Sequence, residues 1–214
     1  MTRALIVIDV QESFRQHPGW ATISNPGIVG QVTRLVEAAR ADRDLVIWVL
    51  HAEPGSATVF DPASGYVRLM EGLTVRDGEP VITKTSHNAF TTTNLQQILT
   101  SRGIGDVVIC GIRTEQCCET TARVGSDLGF GVTFVTDATA TSPIEHWEAA
   151  PGRSPAEILA DPRTLQVEDI LARTEYALAG RFATIRTVAD LAGPDVATGA
   201  GVTGAAAAAA LAGS

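Results

Sequence analysis

The fold is constrained most by six short, mostly β-branched apolar runs that have no regular polar face. Runs of this kind are typical of strands that a parallel sheet buries on both sides. Segments between them carry apolar residues at helical spacing. The runs lie at residues 4–10, 45–50, 81–83, 107–112, 132–135 and 183–188, and the helical segments at 28–39, 95–99, 115–128 and 166–178. This alternation predicts an α/β fold, a three-layer sandwich with a mainly parallel, about six-stranded sheet and helices on both faces.

Length and composition predict one domain with a sizeable core. Of 214 residues, 45% are hydrophobic and 19% are charged. Residues 1–192 are predicted to form the domain. Residues 193–214 are rich in Ala and Gly and are predicted to be a tail outside the core. The proline-rich segment 142–162 is predicted to be a loop with one short helix, because Ser154 and Glu157 have the spacing of a capping box.

The charge balance excludes several classes of partner. With 16 Lys and Arg against 24 Asp and Glu, the net charge is −8. Binding to nucleic acid or to an anionic membrane needs a basic patch, which the sequence lacks. No apolar run reaches about 18 residues, and Asp9 interrupts the first run too early for a signal peptide. We therefore expect a cytoplasmic protein that acts on a small molecule, with neither nucleic acid nor membrane as partner.

Three reactive side chains close or follow apolar runs. Asp9 lies near the end of the first run, Lys84 follows the third, and Cys117 comes shortly after the fourth. Ligands of open α/β sheets bind at the carboxyl ends of the strands, so we expect these side chains to meet there. Asp9 could then accept the proton of Cys117, while Lys84 stabilises the thiolate and keeps Asp9 ionised.

Cys117 is the expected nucleophile among three cysteines. Thr114 is a predicted helix N-cap, and the helix N-terminus that follows it favours a thiolate and can stabilise an oxyanion. Cys118 lies about 100° further round the helix, so we expect it to pack in the core, as we expect of Cys110 within its apolar strand. The sequence has neither the serine nucleophile elbow nor the glycine pattern of a dinucleotide site, and no cofactor is predicted.

Three motifs resemble those of the isochorismatase-like cysteine hydrolases. They are residues 8–14 (IDVQESF), 84–90 (KTSHNAF) and 111–123 (GIRTEQCCETTAR), and a weaker match is 135–138 (VTDA). The resemblance spans roughly residues 4–190. It implies a six-stranded parallel sheet and a catalytic triad of Asp9, Lys84 and Cys117. It also implies a cis peptide between Ile112 and Arg113, an oxyanion hole formed by the backbone N–H groups of Arg113 and Cys117, and a homo-oligomer, either a dimer or a tetramer.

The motifs also favour some of the family's reactions over others. Enzymes that cleave the vinyl ether of isochorismate lack the nucleophilic cysteine, so Cys117 argues against that reaction. Nicotinamidases resemble the chain in all three motifs but bind a metal through an Asp-x-His segment. The comparable segment here, residues 50–54 (LHAEP), lacks that pair, and no metal is predicted.

The predicted activity is therefore cysteine-dependent hydrolysis of a C–N bond in a small amide, through a thioester on Cys117. One alternative is hydrolysis of a carbamoyl group on the same triad, and another is a non-catalytic oligomeric or redox-responsive protein. An arginine facing the site, Arg68, Arg113 or Arg123, would favour an anionic substrate. Trp147 could belong to a lid or to a subunit interface. Residues near the motifs are candidates for the substrate pocket: Gln11, Phe14, Trp20, His51, Phe90 and Gln116.

Overall fold

The computed structural model describes residues 3–194, and most of the predicted tail lies outside this range. The strands are β1 (Arg3–Ile8), β2 (Leu45–His51), β3 (Val81–Lys84), β4 (Asp106–Ile112), β5 (Gly131–Ala140) and β6 (Thr184–Arg186). The α-helices are α1 (Glu12–Gln16), α2 (Ile28–Ala41), α3 (Leu95–Thr100), α4 (Glu119–Asp127), α5 (Pro155–Ala160), α6 (Val167–Leu178) and α7 (Val188–Ala192). Short 3₁₀ turns lie at Pro18–Thr22 and Pro62–Ser64, and a π-helical turn, Thr114–Cys118, precedes α4.

The six strands form one parallel sheet in the order β3-β2-β1-β4-β5-β6. This confirms the predicted α/β architecture. The chain winds outward from β1 in one direction to β3 and then crosses to β4 on the other side of β1. Such a reversal opens a crevice at the carboxyl ends of the two central strands, where ligands of open α/β sheets bind.

Helices cover both faces of the sheet, as predicted. One face packs against α3, α4 and α6 through buried side chains such as Leu95, Ala122 and Leu178. The other face packs against α2 and α7 through Val32 and Val188. Because β1 and β4 are covered on both sides, they have no polar face, which is why their sequences are continuously apolar.

Two predicted strands differ from the observed ones. The predicted run at 183–188 yields only Thr184–Arg186, because Thr187 caps α7 through a capping box with Asp190. Conversely, β5 continues to Ala140, beyond the predicted end at 135, after a register shift against β4. The short helix α5 confirms the predicted capping box of Ser154 and Glu157.

Close contact between β1 and β4 requires glycine at position 111. Gly111 has a φ of +128°, and a Cβ atom there would overlap the carbonyl group of Ile8. An L side chain is strained at this φ and has no space. Gly111 therefore lets the two central strands approach at the point where the crevice opens.

We expect Gly111→Ala to lower the free energy of unfolding by at least about 3 kcal/mol, measured by urea denaturation, because backbone atoms cannot move aside cheaply. Gly30→Ala in α2 is the matched control, since a Cβ there meets no atom within 4 Å. That variant should be unchanged or gain up to about 1 kcal/mol from helix propensity. Equal stability of the two variants would contradict the steric argument.

Candidate active site

Asp9, Lys84 and Cys117 meet at the carboxyl end of the sheet. Lys84 Nζ lies 2.7 Å from Asp9 Oδ2 and donates to Cys117 Sγ over 3.3 Å. Asp9 and Lys84 are both fully buried, and Cys117 is 6% exposed. The structure thus brings together the three residues predicted to carry the chemistry.

The local backbone structure positions each of these three side chains close to the other two. Asp9 follows β1 in a left-handed conformation with φ +54°, which turns the chain out of the strand. Lys84 is the last residue of β3 and pairs in register with His51, the last residue of β2. Cys117 lies in the π-helical turn after β4. The peptide bond between Ile112 and Arg113, which leads into that turn, is cis.

The buried ion pair keeps Lys84 charged. Burial alone would lower the pKa of Lys84, but its interactions with neighbouring groups, above all the charge of Asp9, outweigh burial and raise that pKa above its ordinary value. Burial also raises the pKa of Asp9, and the attraction of Lys84 only partly opposes it. Oδ1 of Asp9 is buried without a hydrogen bond from the described residues. Asp9 is therefore a more basic carboxylate than usual, with an oxygen free to accept a proton.

The surroundings of Cys117 favour its thiol form, which opposes the effect expected of the helix N-terminus. Burial, reinforced by the charge of Asp9, raises the pKa of Cys117 to about 12, and Lys84 offsets only part of this. The prediction that Thr114 is the N-cap is wrong, because Thr114 lies inside the π-helical turn and its hydroxyl donates to Thr139. Deprotonation of Cys117 thus needs a base nearby.

The ring of His51 contacts the ammonium group of Lys84. Its Nδ1 lies 3.3 Å from Lys84 Nζ, and its Nε2 lies 3.4 Å from Glu53 Oε1. An ammonium group only donates, so Nδ1 must accept and Nε2 must carry the hydrogen. Burial and then the charge of Lys84 lower the pKa of His51, which favours this neutral tautomer.

A cavity of about 370 Å³ opens onto Asp9 and Cys117. Its volume suits a small molecule. Among the residues predicted for the pocket, Phe14, His51 and Gln116 line it, and so does Arg113. Phe14 meets Phe60 edge to face, with ring centroids 5.0 Å apart, and these rings supply an apolar wall.

Gln11, Trp20 and Phe90 do not line this cavity, so their predicted contact with substrate is not supported. Trp20 packs against the core on the α2 side, and Phe90 is buried and stacks on Phe130. The side chain of Gln11 is buried and engaged by protein: Nε2 donates to the His51 carbonyl, and Oε1 accepts from the His51 N–H. Gln11 instead holds the end of β2 beside the turn at Asp9.

Several lining residues escaped prediction as pocket residues. Phe60 comes from the irregular connection between β2 and β3, whose length was a signal of function. His87 lies inside the motif at 84–90, and Glu53 lies two residues beyond His51. His17 has no local signal, because the turn after α1 carries it to the cavity. The lining residues not predicted for the pocket are therefore His17, Glu53, Phe60 and His87.

The other two cysteines pack as small hydrophobic residues. Cys110 and Cys118 are fully buried, on opposite faces of the sheet. Burial raises the pKa of both thiols. Within residues 3–194, no group of three or more His, Cys, Asp or Glu side chains is arranged to hold a metal ion.

The raised pKa of Cys117 makes its alkylation strongly pH-dependent. The thiolate fraction below a pKa of about 12 rises about tenfold per pH unit, so the rate of alkylation by iodoacetamide should still be rising above about pH 9. Peptide mass spectrometry of timed samples measures that rate, and Cys117→Ala identifies the labelled peptide. A plateau below about pH 8 would show that the resting enzyme holds a thiolate.

Comparisons with known proteins identify the family of this chain. The family model described as the isochorismatase domain matches residues 3–156. The chain belongs to the isochorismatase family. It is 33% identical to the isochorismatase family protein YrdC of Bacillus subtilis over 138 residues, 64% of this chain and 73% of YrdC. It is 34% identical to streptothricin hydrolase of Streptomyces noursei over 154 residues, 71% of this chain and 58% of that protein.

Solved structures extend the likeness to the fold. An isochorismatase of Pseudomonas putida KT2440 is 28% identical with a TM-score of 0.75, covering 89% of this chain and 90% of that one. None of the helices formed by residues 3–194 of this isochorismatase-family chain is both long and apolar enough to cross a membrane.

Proposed function

We propose that this isochorismatase-family protein hydrolyses a C–N bond in a small amide through an acyl-thioester on Cys117. The observation that carries the proposal is the joint position of Asp9, Lys84 and Cys117 beside one cavity, with 2.7 Å and 3.3 Å between their functional atoms. A buried acid, a buried cation and a thiol in contact are costly to fold, and they supply the groups that nucleophilic amide cleavage needs.

In the first half-reaction Asp9 accepts the proton of Cys117 as sulfur attacks the amide carbonyl. With the thiol pKa near 12, transfer in the empty site is uphill, so deprotonation is coupled to formation of the S–C bond. Lys84 stabilises the developing thiolate through its contact with Sγ. The C–N bond then breaks, and the amine or ammonia leaves with the proton held by Asp9.

Backbone N–H groups of Arg113 and Cys117 hold the oxyanion in this proposal. Both residues lie at the start of the helical segment that continues as α4, where N–H groups lack partners within the helix. In the second half-reaction a water molecule attacks the thioester, and Asp9 accepts a proton from that water. The S–C bond breaks, the acid is released, and Cys117 regains its proton.

The named relatives support a hydrolase of C–N bonds. Matches include nicotinamidase 3 of Arabidopsis thaliana and ureidoacrylate amidohydrolase RutB of Klebsiella pneumoniae. The similarity to RutB keeps the carbamoyl group as a second candidate substrate on the same triad.

A purely redox-responsive role is less well supported, because Cys118 is fully buried. A cytoplasmic location, a homo-oligomeric state and a place for Trp147 in a lid or a subunit interface stay predictions; the side chain of Trp147 is 86% exposed.

Adjacent cysteines provide a matched test of the nucleophile. Ammonia release from a panel of primary amides and ureides should fall by more than about a thousandfold in Cys117→Ala. Cys118→Ala should keep activity within a few-fold and lose about 1 kcal/mol of stability, because its sulfur only packs in the core. Comparable activity of the two variants would refute the assignment of Cys117.

Asp9→Asn tests two effects of Asp9 on Cys117: the acceptance of its proton and the raising of its pKa by the negative charge. Removing the carboxylate should lower the pKa of Cys117, because the charge of Asp9 raises it. Alkylation of Cys117 at neutral pH should therefore accelerate, while amide turnover falls by about a hundredfold or more through loss of the base. Parallel changes in the two rates would mean that Asp9 does not act as the base.

A further inference from the structure

Arg113 lies at the cavity and has side-chain N–H groups that no described residue accepts. Its side chain is 18% exposed, and the residue lines the cavity together with Cys117 and Gln116. The one acidic group within ion-pair range among the described residues is Glu115, at 4.0 Å. No N–H group of the Arg113 side chain has a hydrogen-bond partner among residues 3–194.

An arginine that binds a carboxylate elsewhere in this chain does so with a different geometry. Arg40 donates from Nε and Nη2 to the two carboxylate oxygens of Glu79 over 2.7 Å and 2.9 Å. This two-point geometry is the one that guanidinium and carboxylate prefer. At 4.0 Å and without a hydrogen bond, Glu115 leaves the donors of Arg113 available to a ligand.

The buried cation at the site, Lys84, is already engaged. Lys84 forms an ion pair with Asp9 and also contacts Cys117 and His51. Burial lowers the pKa of His51, and burial followed by the charge of Arg113 lowers that of His17. Arg113 is thus the one Lys or Arg side chain among the described residues that lines the cavity.

The other two arginines that could have faced the site do not. Arg68 is exposed outside the cavity, and Arg123 pairs with Glu119 and lies over the ring of Phe182. Of the three arginines, Arg113 is therefore the one that can contact a bound substrate.

We propose that Arg113 binds an anionic group of the substrate, so that the site selects small amides that also carry a carboxylate. This inference rests on the proposed amide hydrolysis and names its substrate class. Arg113 and Cys117 line one cavity of about 370 Å³, so a short molecule can reach both. The rings of Phe14 and Phe60 suit the apolar carbons between the two polar ends.

Succinamate and succinamide test this selectivity, because the second compound replaces the carboxylate of the first by a neutral amide. We expect the wild-type enzyme to show a kcat/KM at least tenfold higher for succinamate. Arg113→Gln should lower kcat/KM for succinamate about tenfold to a hundredfold more than it lowers kcat/KM for succinamide. Arg113→Lys, which keeps the charge but not the two-point geometry, should fall between them. Arg68→Gln removes the same charge outside the cavity and should match the wild type.

Equal rates for the two compounds in the wild type, or equal loss on both in Arg113→Gln, would overturn the inference and leave the proposed hydrolysis standing. Calorimetric binding of succinate gives a readout that needs no turnover. If neither amide is hydrolysed, a dissociation constant at least tenfold weaker in Arg113→Gln than in Arg68→Gln upholds the anion site and rejects the hydrolysis. Equal binding of succinate by these two variants would then overturn the anion site as well.

Discussion

The buried ion pair between Asp9 and Lys84 is the interaction on which the rest of the site depends. Neither charge has access to solvent, and removing one partner would leave the other uncompensated, at a cost of about 3–5 kcal/mol. The pair therefore fixes two strand ends relative to each other. The pair also influences the pKa of the neighbouring thiol, since Lys84 lowers the pKa of Cys117 while Asp9 raises it.

Protein groups around the pair hold it in place without competing for Cys117. The side chain of Gln11 forms hydrogen bonds with both the N–H and the carbonyl of His51. The ring of His51 accepts a hydrogen bond from Lys84. The ends of β1, β2 and β3 are thereby joined by hydrogen bonds that do not use the free oxygen of Asp9. In the proposed mechanism, the oxygen of Asp9 that accepts the proton is therefore not one that holds the strand ends together.

Much of the architecture could be predicted from the sequence, because doubly buried strands have a local signature. The same signature located Asp9, Lys84 and Cys117, since each closes or follows an apolar run. The state of Cys117 could not be predicted, because the depth of its burial depends on the packing of the whole sheet. Trp20 and Phe90 show a related limit: nearness to a motif in sequence does not tell which way a side chain points. Phe60 and His17 reach the cavity through tertiary structure alone.

The order of the strands has a consequence for folding. Asp9 and Cys117 follow β1 and β4, and Lys84 is the last residue of β3. In the sheet, β1 separates β4 from the β2–β3 side. The three side chains meet only after parallel strands distant in sequence have paired, a class of contact that forms slowly. Catalytic competence is consequently a property of the finished sheet. A fragment ending before β4, or an intermediate that lacks β3, would hold at most two of the three groups, so enzymatic activity would report the completion of folding.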